Sequence, residues 1–513
     1  MKKLSLSLKA ESLSIWITDK YIYLMLFVFP LFTGFKGYSQ ITLSKYIFFV
    51  SITSLWLIVM LIDNIKTKHI TRFKHKDFIT LFIFLYIFAC CLSAAFSSFK
   101  SIVIIGNGRF DGLATIFLYV CIFLGIRRYS RPKLSYLYAV SASMSLNCII
   151  AILQIMGYNP LHLFPGDYSY YDAGVKFSSV FLGTIGNADL YSAFLCLGLP
   201  LIFVYYITAI RRHFILLPAI ALSAFCLFSC GVSGGILAAA VCTVVSAPFM
   251  ITNNERLRRA LEVSALVSLS VLFAVSLNVG KTAELTYFDF FNIKTYLFLA
   301  LSISLILLRL ISSRIKLSCK YLKISVSVLS ISTVALGFVA IYFWKGNSGT
   351  IYEISQVLHG NVEESFGSSR VLIWRETLKL VPEKLWLGGG PGTLPERLDL
   401  NFSRFVEETG KTLQSSVDNA HNDYLGILVN TGLLSLVLYL SAQFISLIKT
   451  AKASNVQGFY SCLACSLLCY WVQAFFGLGL FLVTPMMWLI WGLLVSALNF
   501  KPDIVTTEPA AEV

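Results

Sequence analysis

An all-α polytopic membrane protein is the fold class this sequence predicts, on three observations. Apolar runs of membrane-spanning length recur from end to end, 57% of the 513 residues are hydrophobic against 13% charged, and the basic residues gather on alternate loops. A mean hydropathy of +0.76 excludes a water-soluble globule, whose composition includes about a quarter charged residues.

A helical run of about 18 to 25 apolar residues crosses a hydrocarbon core about 30 Å thick. In chain order such runs lie near 21–35, 45–62, 78–97, 113–126, 134–156, 189–209, 214–230, 232–250, 260–279, 294–311, 322–344, 422–448, 457–476 and 480–499. The expected count is about 12–14 transmembrane helices. The 113–126 run is short, and the last two runs share one apolar stretch divided only by Gly477, Gly479 and Pro485.

Loop charge sets the orientation. Clusters at Lys66, Lys68, Arg72, Lys74 and Lys76, at Arg127, Arg128, Arg131 and Lys133, at Arg211 and Arg212, at Arg256, Arg258 and Arg259, at Arg314, Lys316, Lys320 and Lys323, and at Lys449 and Lys452 mark the cytoplasmic side by the positive-inside rule. Lys2, Lys3, Lys9 and Lys20 put the amino terminus there, and an even number of spans returns the carboxyl terminus to the same side. The first apolar run lacks a small-residue cleavage site and reads as a retained helix.

The domain plan that follows has four parts. Residues 1–344 form an amino-terminal transmembrane bundle of about 11 spans, 345–421 a large extracytoplasmic loop with short helices, 422–500 the carboxy-terminal transmembrane helices, and 501–513 a polar, disordered cytoplasmic tail. The net charge of +15 is mostly loop charge facing anionic lipid, so it is no nucleic-acid footprint. The twelve cysteines lie in or beside apolar runs, which argues against a disulfide framework, and Cys462 with Cys465 reads as two small residues on a helix face.

Chemistry is to be sought in 157–188 and 345–421. The second is too long for a connector without structure of its own. Within it, SSRVLIWRETLKLVPEKLWLGGGPG (368–392) reads as an amphipathic helix with Val371, Leu372, Leu378 and Val381 on its apolar side, stopped by Pro382. The glycines that follow permit a close backbone approach, as a phosphate cradle or as a plain reversal.

The polar cluster DNAHNDY at 418–424 then runs into an apolar helix and sets the His421 imidazole at a water–membrane boundary. With Asp418 or Asn419 as the cap, His421 falls in the first helical turn, where the positive dipole end lowers an imidazole pKa. A neutral imidazole accepts a proton from a hydroxyl; the alternative is a histidine that merely anchors a helix end. Asn422 and Asp423 read as capping or orienting residues. The cations on this side are Arg109, Arg370, Arg375 and Lys379, with Arg397, Arg404 and Lys176 further back. Arg109 stands in a short loop beside Gly106, Gly108 and Gly112 with Asp111 as a possible ion-pair partner, and Arg370 precedes Trp374 by one helical turn. The 157–189 segment adds His162, Asp167, Asp172 and several tyrosines, residue types that bind sugars and also belt membrane interfaces, and ends on Asn187 and Asp189 at the start of a span.

These segments resemble the O-antigen ligase and polymerase superfamily of bacterial membrane glycosyltransferases. The likeness is carried by Trp374 in RVLIWRETLKL, by LGGGPGT, by AHNDYLGILVNTGLLSL at 420–436, and by IIGNGRFDGLATIFLYV (104–120) and GTIGNADLYSAFLCLGLPL (183–201). The resemblance implies a metal-independent, cofactor-free transfer of a glycan from undecaprenyl diphosphate to a hydroxyl of a glycan, lipid or protein acceptor. It places the protein in the bacterial inner membrane with an extracytoplasmic active site, among membrane lipids and with no nucleic-acid partner. It implies His421 as the catalytic residue, Arg109, Arg370 and Arg375 as diphosphate ligands, and Asn422, Asp423, Trp374 and Asn187 as supporting residues. The ligase type is the first expectation, with repeat-unit polymerisation in the same superfamily as the alternative. One departure stands out: where many members carry Ser-Arg-Gly near a middle span, this chain reads CGVSGGILAAA at 230–240, with Ser233 in place of the arginine, and Arg109 is the first candidate to compensate. A multi-span transporter is the competing class; the sequence has no internal repeat and few charges within spans, which favours the enzyme.

Overall fold

The computed structural model describes residues 2–67, 77–164, 171–172, 175–176, 182–279, 286–406, 411–453 and 458–499. Lys68, Arg72, Lys74, Lys76, Asp167 and the tail after Phe500 lie outside the described residues, as do the side chains of Asp172, Lys176 and Arg404. The protein is an all-α polytopic membrane protein, with only three two-stranded ladders among the described residues.

Ten helices among the described residues are long and apolar enough to cross a membrane: Leu13–Leu31, Gly37–Lys66, Phe78–Phe96, Leu134–Ile155, Ala188–Thr208, Ser233–Met250, Asn254–Ser276, Ile293–Ile311, Cys319–Tyr342 and Asp423–Ala453. The other four runs read from the sequence are helices too, but shorter: Leu113–Tyr129, Phe214–Ser229, Phe459–Gln473 and Thr484–Asn499. The first span begins before its apolar run. Its polar Ser14 and Thr18 are buried against the Gly37–Lys66 helix, where Ser14 bonds Asp63 and Thr18 accepts from Trp56 Nε1 at 3.2 Å. Satisfied in this way, polar residues tolerate the bundle interior.

Ala188–Thr208 and Thr484–Asn499 are buried along nearly their whole lengths and form the centre. Gly198 lets the first approach Met144 and Gly492 lets the second approach Phe123 and Ile126, the small-residue packing that membrane helices use where no hydrophobic effect drives association. Ile293–Ile311 and Cys319–Tyr342 lie at the periphery and turn most of their leucines and isoleucines outward, as lipid-facing helices do.

The long carboxy-terminal helix is broken. Gly432, at φ 86° and ψ 172°, divides Asp423–Ala453 into a short helix and a longer one, so the apolar run after His421 is not one continuous span. Backbone groups freed at the break are paired by the glycine turn: Gly389 N donates to Val429 O at 3.1 Å, Gly390 N to Asn430 O at 2.7 Å, and Leu433 N to Leu385 O at 2.8 Å. Irregular backbone at membrane depth is tolerated only when satisfied within the protein. Contact is so close that a Cβ on Gly432 would fall 2.2 Å from Trp386 O, and one on Gly388 would fall 2.5 Å from Asn430 O. The Gly389 and Gly390 amides are therefore committed to the helix break, and the turn is a docking element rather than a phosphate cradle.

After the turn, a hairpin of Asn401–Val406 and Lys411–Ser416, in register Asn401↔Ser416, carries the chain back to Asp418.

Candidate functional site

The His421 segment is held from three sides. Trp374 Nε1, on the Phe366–Lys379 helix, donates to Ala420 O at 3.0 Å, while its ring meets Phe475 edge-on at 5.5 Å. Asp423 N donates to Ala474 O at 2.9 Å and Tyr424 Oη to Trp471 O at 2.7 Å, tying the segment to the end of the Gly458–Gln473 helix. Asn419 Oδ1 accepts from His421 N at 2.7 Å and closes the turn.

The cap of the helix is Asn422, whose Oδ1 accepts from Leu425 N at 3.1 Å, rather than Asp418 or Asn419. His421 consequently precedes the helix instead of sitting in its first turn, in a left-handed conformation at φ 48°. A non-glycine residue held there costs about 1–2 kcal/mol, strain of the kind that collects at functional sites. The Asn422 side chain is thus used in capping, while Asp423 begins the helix and abuts Gly479.

Asp418, freed from capping, holds Arg109. The guanidinium forks onto its carboxylate, Nε to Oδ2 at 2.7 Å and Nη2 to Oδ1 at 2.5 Å. Asp111, the partner that proximity in sequence suggested, is packed among Gly106, Gly112 and Gly392 instead, where burial pushes its carboxyl pKa up.

Arg370 follows three consecutive left-handed residues, Gly367, Ser368 and Ser369. This turn is anchored where Gly367 N donates to the Glu353 carboxylate at 3.1 Å, and Arg370 Nη1 donates back to Gly367 O at 2.9 Å. Arg370 Nη2 lies 3.5 Å from Asp189 Oδ2. Asn187 sets that carboxylate in place by capping the Ala188–Thr208 helix, its Oδ1 accepting from Leu190 N at 3.1 Å. Arg370 Nε and His421 Nδ1 are both buried with no hydrogen-bond partner. Buried polar atoms are rarely left so, and such orphans point to a missing partner.

The imidazole pKa is lowered from the usual 6.5, first by burial and then by the Arg370 and Arg109 charges, with Asp189 and Asp418 opposing. The lowering inferred from a helix dipole is therefore present but has another origin. At neutral pH the ring is a neutral base beside two guanidinium groups.

Arg375 is not brought to this group. Half exposed, it pairs with Glu364 at 2.5 Å and Glu376 at 3.2 Å, and Lys379 joins Glu376 at 2.6 Å. Arg397 braces the helix break, Nη2 donating to Val429 O at 2.8 Å. Reading the sequence missed Asp189 and Asp418 as the arginine partners. The available signal was a carboxylate at a span boundary on the same side as each cation.

Residues 292–440 match a family model described as O-antigen ligase. The match takes in Arg370, Trp374, Arg375, His421, Asn422 and Asp423, and stops short of Arg109, Asn187 and Asp189. No curated protein matches the chain.

Proposed function

Because the chain belongs to the O-antigen ligase and polymerase superfamily, a group of membrane glycosyltransferases, we propose that it transfers a glycan from a polyprenyl diphosphate to a hydroxyl acceptor at the His421 site. One observation carries the reading: the orphaned Nδ1 of His421 and Nε of Arg370, a base and a phosphate-binding donor that electrostatics couple.

In this reading the donor diphosphate displaces the carboxylates of Asp189 and Asp418 and takes their places on Arg370 and Arg109. Arginine suits the role because its planar fork donates in pairs to phosphate oxygens. The acceptor hydroxyl gives its proton to His421 Nδ1 as its oxygen bonds to the anomeric carbon. The bond from that carbon to the diphosphate oxygen breaks, and the lipid diphosphate leaves as an anion stabilised by the two guanidinium groups. Direct displacement inverts the anomeric centre. Neither metal nor cofactor is needed for these steps.

Arg370, in place of the Arg109 that the sequence suggests first, is our replacement for the arginine missing at Ser233. Gly235 packs against Ser192, one helical turn from Asp189, and Asp189 holds the Arg370 guanidinium. Arg375, engaged with two glutamates, has at most an outer role in donor approach.

The segments that build the site alternate along the chain with the basic loops, and by the positive-inside rule this supports an extracytoplasmic reaction in a bacterial inner membrane with both termini cytoplasmic. The acceptor is a lipid, a growing polysaccharide or a protein hydroxyl. The test is a chromosomal deletion complemented in trans: the deletion loses surface glycan and accumulates polyprenyl-linked glycan, the wild-type chain restores both, and the His421→Ala chain restores neither. Surface glycan unchanged by the deletion itself contradicts the proposal.

A further inference from the structure

Alongside the His421 segment, but without the imidazole in its wall, lies a cavity of about 90 Å³. A cavity of that size has room for several waters, and so for a small polyhydroxylated ring. Asp111, Asn419 and Asp423 line it from the loop end, and Tyr119, Tyr439 and Trp488 from within the bundle. Carboxylates and amides facing aromatic rings match the surface of a sugar, whose hydroxyls need paired acceptors and donors and whose ring C–H faces stack on aromatics. A lipid tail wants an apolar wall throughout, and a small cation has no use for the rings.

A glycine in the wall bears on the same space. Gly426 lines the cavity in the short helix after His421, and a Cβ built on it meets nothing within 4 Å. Gly392 in the same wall is fixed by tight packing. Gly426 has no such reason, since it is helical and its φ is ordinary. Glycine is the poorest helix former after proline, so alanine here adds helix stability without a clash. What the glycine preserves is room.

We propose that this cavity seats one pyranose ring of a glycan substrate. Asp111 and Asp423 accept from its hydroxyls, the Asn419 amide donates to them, and the aromatic floor stacks on its apolar face. The inference rests on the glycosyltransferase reading above and names a sugar subsite for it. The ring belongs either to the lipid-linked donor or to the acceptor glycan.

The test is a graded series, Gly426→Ala, Gly426→Leu and Gly426→Phe, assayed beside His421→Ala in membranes supplying lipid-linked glycan and acceptor. Protein level and thermal unfolding midpoint are expected to hold or rise for Gly426→Ala. Transfer is expected to fall in step with side-chain volume, by about tenfold for Gly426→Leu. A raised KM for the lipid-linked glycan assigns the ring to the donor, and a raised KM for the acceptor assigns it to the acceptor. If Gly426→Leu and Gly426→Phe are folded and transfer at the wild-type rate and KM while His421→Ala is inactive, the sugar subsite is wrong and the glycosyltransferase reading stands. If the wild-type chain itself transfers no glycan, the glycosyltransferase reading fails; if His421→Ala transfers at the wild-type rate, the role given to His421 fails.

Discussion

Arg109 and Asp418, far apart in sequence, meet in a two-point ion pair in which Nε and Nη2 of the guanidinium each donate to one carboxylate oxygen. The pair latches the first loop of the site onto the segment carrying His421. Its side chains are 26% and 47% exposed, so solvent screening limits its contribution to stability to about 1 kcal/mol or less. In the donor-free protein its value is positional, and in the proposed reaction Arg109 exchanges Asp418 for the diphosphate. Arg109→Lys, which keeps the charge and loses the fork, is expected to leave the melting temperature nearly unchanged and to lower the transfer rate about tenfold or more. Thermal unfolding and initial rates in the same membranes check this.

Acid should switch the enzyme off below the normal histidine range. The folded imidazole has a pKa below 6.5, so the neutral base is present at pH 7 and lost as pH falls through the lowered value. Asp189 raises this pKa, so Asp189→Asn is expected to move the acid limb of the rate profile to still lower pH. A pH–rate profile of kcat/KM for the two proteins, which reports the donor-free state, reads the shift. Stability follows the same sign: the unfolded chain takes up a proton near pH 6.5 that the fold resists, so the contribution is full above that pH and declines as pH falls toward the folded value.

Gly432 is required by geometry. Its φ and ψ fall in a region that only glycine adopts readily, and the space for a Cβ is occupied by Trp386 O. Gly432→Ala is expected to destabilise by about 3 kcal/mol or more, undocking the glycine turn from the helix break. Reduced protein level and a lowered unfolding midpoint are the readouts.

Two neighbouring arginines should behave differently. Arg370 acts electrostatically on the imidazole and carries a buried, unpartnered nitrogen, whereas Arg375 is paired with glutamates at the surface. Arg370→Lys is expected to lower transfer about a hundredfold and Arg375→Ala to leave it within about twofold. Equal losses in the two variants contradict the assignment of roles.

Much of the fold is legible in the sequence. Apolar length marks the helices, and the polar cluster around His421 draws attention to the segment on which the proposed site is built. What stayed hidden depends on contacts between distant segments. Gly432 sits inside an apolar run and looks like any small residue of a membrane helix until Trp386 and Gly388 are seen pressed against it. Asp418 has the composition of a cap and is one by sequence logic; only the fold brings Arg109 near enough to take it away, leaving Asn422 to cap. The lowered histidine pKa was expected for a wrong reason, since local sequence carries the helix dipole but not the burial or the Arg370 charge.

The central claim is that His421 is the base of a glycosyl transfer. The most direct measurement is single-turnover transfer by the purified, reconstituted protein from a polyprenyl-diphosphate-linked glycan to its acceptor, comparing wild type with His421→Ala at matched fold and donor affinity. The account predicts a fall in the transfer rate of about a hundredfold to ten-thousandfold with donor binding retained; transfer within a few-fold of wild type would contradict it.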